Sequence, residues 1–183
     1  MRARVFIGFV IVLELALIVG PRWARQSSVP EGFAAWGEPG AIVLAAPEGW
    51  QPVPEAMGTQ LQLALIGDDP SGAARRLSAS HPIPVEGMKT AQFFDAVRQI
   101  PAGPAEGAQT LADGPVMVKG AQAAYRRELL IASQNPRSGQ PATFHFSRLW
   151  VLTSREEVIE IQLIVEEPSL GDPSAEILRT IRV

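Results

Sequence analysis

Thr143–Thr153 reads TFHFSRLWVLT, and its alternation decides the fold. Successive side chains of an extended chain point to opposite faces. Phe144, Phe146, Arg148, Trp150 and Leu152 therefore share one face, and His145, Ser147, Leu149 and Val151 share the other. Upstream, Ala123–Ser133 alternates in the same way, with Tyr125, Arg127, Leu129 and Ile131 facing opposite to Arg126, Glu128 and Leu130. Downstream, Val158–Val165 sets Ile159, Ile161, Leu163 and Val165 against Val158, Glu160, Gln162 and Ile164. The turn NPRSGQ (Asn135–Gln140) joins the first pair, and Ser154–Glu156 joins the second. Links this short make successive strands antiparallel neighbours. Several strands are apolar on both faces, which asks for cover on both sides of the sheet.

The flanking sequence supplies more strands and two helices. Ala41–Ala46 is a short strand ending in the turn Pro47-Glu48-Gly49-Trp50, and Leu61–Ile66 is a second. Arg76–His81 alternates, placing Leu77, Ala79 and His81 together and Ser78 and Ser80 opposite. Thr90 is the expected cap of a helix over Ala91–Ile100, whose Phe93, Phe94, Val97 and Ile100 form one apolar stripe. PAGPAEG (Pro101–Gly107) ends it, and a weak strand takes in Val116–Val118. Asp172 and Pro173 read as the cap and first residue of a last helix carrying Ile177 and Leu178. The expected fold class is α+β: an antiparallel β-sheet flanked by helices on both faces, an α/β/α sandwich, preceded by an N-terminal hydrophobic helix.

That N-terminal segment begins with Arg2 and Arg4 and continues as VFIGFVIVLELALIVG from Val5 to Gly20. A basic start before about 7–15 apolar residues is the signal-peptide pattern, whereas a membrane-spanning helix needs about 20. Extended to Trp23, residues 1–23 read as a membrane anchor or a signal peptide, with Val5, Phe6, Phe9, Leu13, Leu17 and Trp23 facing lipid. No clean pair of small residues marks a cleavage site, which favours a retained anchor. Residues 24–40, rich in Pro, Gly and Ser, read as a linker in which Phe33 and Trp36 are unusual. Residues 41–183 read as the folded domain, placed outside the cytoplasm: periplasmic or at the cell surface, or secreted if the leader is cleaved.

The order of elements and a few short motifs carry a family resemblance. They are PEGW (Pro47–Trp50), the Thr-led helix Thr90–Ile100, Gly-Ala-x-Ala-Ala-Tyr at Gly120–Tyr125, the three-strand meander, and a final helix running into Ile181–Val183. Over about residues 40–183 the chain resembles the PsbP-like superfamily, the α/β/α sandwich of the photosystem II extrinsic protein PsbP and its bacterial envelope relatives. The resemblance implies a non-enzymatic binding or assembly module. The lipidated Cys of its bacterial lipoproteins has no counterpart here, since the chain contains no cysteine.

Composition and motifs mostly exclude. Sixteen Lys and Arg against nineteen Asp and Glu give a net charge of −3, and a nucleic-acid partner needs clustered positive charge instead. Without cysteine there are no disulfides, thiolate metal sites or thiol chemistry. His81 and His145 are the only imidazoles, and neither has a second ligand at metal-binding spacing. No Gly-x-Ser-x-Gly elbow, phosphate loop or dinucleotide fingerprint occurs. Asp68-Asp69 before Pro70 reads as a polar turn and Glu156–Glu167 as a solvated acidic rim.

The expected function is therefore a non-catalytic, membrane-anchored extracytoplasmic domain that binds or stabilises another envelope protein, with no cofactor and no metal. Trp150, Phe146 and Arg148 form the candidate partner-binding patch, because aromatics and Arg concentrate at binding hot spots. The alternatives are an exported small-molecule binder, or a hydrolase using His81 or His145.

Overall fold

The computed structural model describes residues 29–37, 42–54, 57, 60–68, 74–101, 108–135, 138–167 and 174–183. The strands are β1 (Phe33–Gly37), β2 (Val43–Pro47), β3 (Gln51–Pro52), β4 (Leu61–Asp68), β5 (Ala74–Ser80), β6 (Ile83–Pro84), β7 (Gln109–Val116), β8 (Ala121–Gln134), β9 (Pro141–Thr153) and β10 (Glu157–Glu167). The helices are α1 (Thr90–Gln99) and α2 (Ser174–Thr180). β1 and β2 form a separate hairpin, while one antiparallel sheet runs β3-β4-β5-β10-β9-β8-β7, with β6 added along the start of β10.

The meander is the centre of this sheet. Tyr125 pairs with Trp150 and Leu129 with Phe146 across β8 and β9, and Ile161 pairs with Leu149 across β10 and β9. The turn between β9 and β10 depends on Glu156, a non-glycine residue at φ 57°. That conformation is held from both sides. The Glu156 N–H donates to Thr153 O at 3.2 Å, its C=O accepts from Val85 N–H at 2.8 Å, and Oε2 accepts from Gly87 N–H at 2.9 Å.

Each sheet face carries its own apolar cluster. On the first face, Leu65, Leu77, Leu149, Val151, Ile159, Ile161 and Leu163 pack with Ile42 and Leu44 of the hairpin side and with Ile177 of α2. On the second, Phe93 and Val97 of α1 cover Ala123, Tyr125, Trp150 and Leu152. α1 begins at Thr90 with Lys89 as its cap, whose N–H is taken by Gln92 Oε1 at 2.9 Å, rather than being capped by Thr90.

The expected α/β/α sandwich is corrected. The described chain is predominantly β, and its two helices do not make layers. Ten residues of α1 and seven of α2 span about 15 and 10 Å at ~1.5 Å per residue, whereas seven strands at ~4.8 Å spacing span about 29 Å. On the first face the β1–β2 hairpin supplies much of the cover. β1 lies inside the expected linker, and its Phe33 and Trp36 pack on the first core, so the folded region begins before residue 41.

The expected transmembrane helix and signal anchor are corrected as well. No helix among the described residues is long and apolar enough to cross a membrane. The segment assigned to that role, with Val5, Phe6, Phe9, Leu13, Leu17 and Trp23, lies outside the described residues, as does the N-terminal hydrophobic helix. The cap expected at Asp172 and Pro173 also lies outside them.

Candidate functional site on the second face of the sheet

Antiparallel register lays the second face out in rows. Leu152 and Ala123 lie furthest along it, then Tyr125, Trp150 and Glu160, then Arg127, Arg148 and Gln162, then Leu129, Phe146 and Ile164, then Ile131 and Phe144. α1 sits on the first two rows. Leu129, Ile131, Phe144, Phe146 and Ile164 belong to neither hydrophobic cluster; Leu129 is buried, and the other four are half-buried.

The row between core and strip is charged. Arg127 and Arg148 are directly opposite each other, a destabilising placement unless each has its own counter-charge. Each does. Arg127 Nε donates to Asp113 Oδ1 at 3.1 Å and Nη1 to the Ile100 carbonyl at 2.7 Å. Arg148 engages Glu160 Oε1 through Nε at 2.7 Å and Nη2 at 2.6 Å. Both guanidinium carbons also lie over the Trp150 ring, at 5.7 and 4.7 Å from its centroid. Glu160 Oε1 further accepts from Gln162 Nε2 at 2.7 Å, and Glu160 N–H donates to Ser80 Oγ at 2.9 Å.

A groove of about 500 Å³ opens beside this network. Ser78, Ser80, Glu160 and Gln162 form its floor, and His81, Pro82, Ile83 and Pro84 form one wall. Ile83 is exposed, at 56%. β5 stops at Ser80, so alternation does not carry through to His81; that side chain lines the groove with the serines instead of sharing a face with Leu77 and Ala79.

Of the candidate patch, Trp150 is only 3% exposed, since α1 and the two arginines cover it. Arg148 is largely buried and ion-paired, and Phe146 is half-buried beside it. All three share the second face, but Phe146 alone belongs to the apolar strip. Ile131, Phe144 and Ile164 complete the strip. Their alternation was visible in sequence, whereas their place outside both cores of the described residues was not.

The first face has a polar cluster of its own. Glu128 Oε1 accepts from Ser147 Oγ at 3.0 Å, pairs with Arg126 Nη2, and lies 3.7 Å from His145 Nε2. The carboxylate sits between hydroxyl and imidazole. Nucleophilic catalysis needs the imidazole between the other two, where it can take the hydroxyl proton. His81 and His145 are on opposite faces, and among the described residues no three His, Cys, Asp or Glu converge on a metal position.

Tyr125 lies beneath α1 with its pKa raised from the ordinary tyrosine value. Burial is the main cause, and a hydrogen bond with Asp113 and the charge of that carboxylate add to it.

No family model and no curated protein matches this chain. Among solved structures, LpqN of Mycobacterium tuberculosis, involved in cell envelope biogenesis, is 16% identical at a TM-score of 0.46, over 82% of this chain and 91% of that one. The Ran-binding protein Mog1p of Saccharomyces cerevisiae is 14% identical at a TM-score of 0.46, over 82% and 95%. At that distance neither likeness bears on function, and neither names the PsbP-like superfamily.

Proposed function

We propose that this is a non-catalytic binding domain whose second sheet face takes an apolar segment of a partner protein. The observation that carries the reading is the strip Ile131, Phe144, Phe146 and Ile164, which lies outside both cores of the described residues and is bordered by the row Arg127, Arg148 and Gln162. An apolar centre with a polar rim is the anatomy of a protein interface, and aromatic residues carry a large share of its energy. The arginines on that row are already paired, Arg127 with Asp113 and Arg148 with Glu160, so they serve recognition and register better than proton transfer.

The resemblance to the PsbP-like superfamily supports the same reading. An extracytoplasmic location is part of the proposal and rests on the basic-then-apolar leader alone; a periplasmic reporter fused after Val183 checks it separately.

A photo-crosslinking amino acid replacing Phe144 or Ile164 in native cells tests the interface. Crosslinks to a protein from these positions, and none from exposed Glu176 on α2, are expected. Equal yields from all three positions, or none from the strip, overturn the reading.

A further inference from the structure

On the opposite face, independent of the proposed interface, a cavity of about 210 Å³ lies between α2 and the sheet. Val116, Val118, Leu149 and Leu178 supply apolar walls, and Arg126 and Arg179 line the same space. Among the described residues no carboxylate lines it. Glu128, which pairs with Arg126, is the nearest described acid in register, and it offsets one of the two positive charges.

We infer that this cavity binds a small amphipathic anion, a monocarboxylate with a short hydrocarbon tail. Size sets the tail. An apolar cavity of about 150 Å³ accommodates benzene, so about 210 Å³ takes roughly eight heavy atoms. Chemistry sets the head. Arg126 is on β8 directly opposite Leu149, at the sheet end of the cavity, and its charge is shared with Glu128. Arg179 is exposed, in the last turn of α2, and has no carboxylate partner among the described residues. A carboxylate at the mouth meets Arg179 in the fork geometry that favours guanidinium over other cations. The tail then lies against valine and leucine, with loss of water from both surfaces as the driving force. A neutral ligand of the same shape leaves the Arg179 charge unused, and a dianion exceeds the net positive charge of the lining.

Hexanoate is the probe, titrated into the full chain with methyl resonances of Val118 and Leu178 as the readout. Saturable shifts at those methyls at about 1 mM or tighter are expected. Hexanol, with the same tail and no charge, should bind at least about tenfold more weakly, as should hexanoate to Arg179→Glu, a difference of ~1.4 kcal/mol. Arg179→Lys should recover part of the affinity. Because Arg179 is exposed, an unchanged ligand-free melting temperature shows that the variants are folded. A response to hexanoate that never saturates, equal binding of hexanol, or binding indifferent to Arg179→Glu each overturns the inference.

Discussion

Gly67 is where Trp50 rests on the sheet: a Cβ there would lie 2.5 Å from the indole ring. Trp50 is 6% exposed within the first core, so it has no room to retreat. Gly67→Ala should destabilise the domain by about 1–3 kcal/mol, the usual cost of overpacking, read as a lower urea midpoint. Tyr125 permits a cleaner test, since it is the only tyrosine in the chain. Its folded pKa is raised, so the native state favours the neutral phenol. The corresponding stability is fully present below the unfolded value of about 10 and is lost as pH rises through the folded value. Near-UV titration of the phenolate should therefore show a midpoint above about 10 in the native chain, returning to about 10 in urea. A native midpoint at or below the urea one would contradict the environment described. The sequence places Tyr125 and Arg127 on one face of β8, but only the register brings Asp113 on β7 opposite Arg127 and so to the same side of the sheet.

At the scale of elements, α1 and the apolar strip occupy the same sheet face with opposite consequences. Phe93 is 1% exposed and closes the second core, so Phe93→Ala should cost about 3–5 kcal/mol in urea denaturation. Phe146 is half-buried and outside that core, so Phe146→Ala should cost clearly less than Phe93→Ala while abolishing the expected crosslinks. Equal destabilisation by both would mean that the strip is core. The apolar stripe of α1 was legible from the spacing of Phe93 and Val97. Its cap was not, because Lys89 satisfies its N–H through a Gln92 side chain, an arrangement that residue preference ranks below Thr90. β1 escaped for a related reason. Five residues bounded by glycine make a strand only by pairing with β2, and periodicity in so short a piece is weak.

The whole molecule is tied together by its last residues. Arg182 exchanges hydrogen bonds with Val43, at 2.9 and 2.8 Å, and Val183 N–H donates to Lys119 O at 3.2 Å. Ile181 is buried, and Thr180 Oγ1 accepts from Ala45 N–H at 2.7 Å. Gly120 makes this possible: at φ 87°, any Cβ there would overlap the Val183 carbonyl. Removing 181–183 should release the β1–β2 hairpin before the meander, seen as faster amide exchange at Val43 and Ala45 than at Leu149 or Ile161. The amino-acid order alone determined the antiparallel meander and the division of its side chains between two faces, since alternation and tight turns are local properties of the chain. The tertiary structure decided how each face is covered, which apolar residues remain outside a core, and which distant arginines and carboxylates meet. Those outcomes depend on register and helix length across about 29 Å of sheet, distances that no short stretch of sequence encodes.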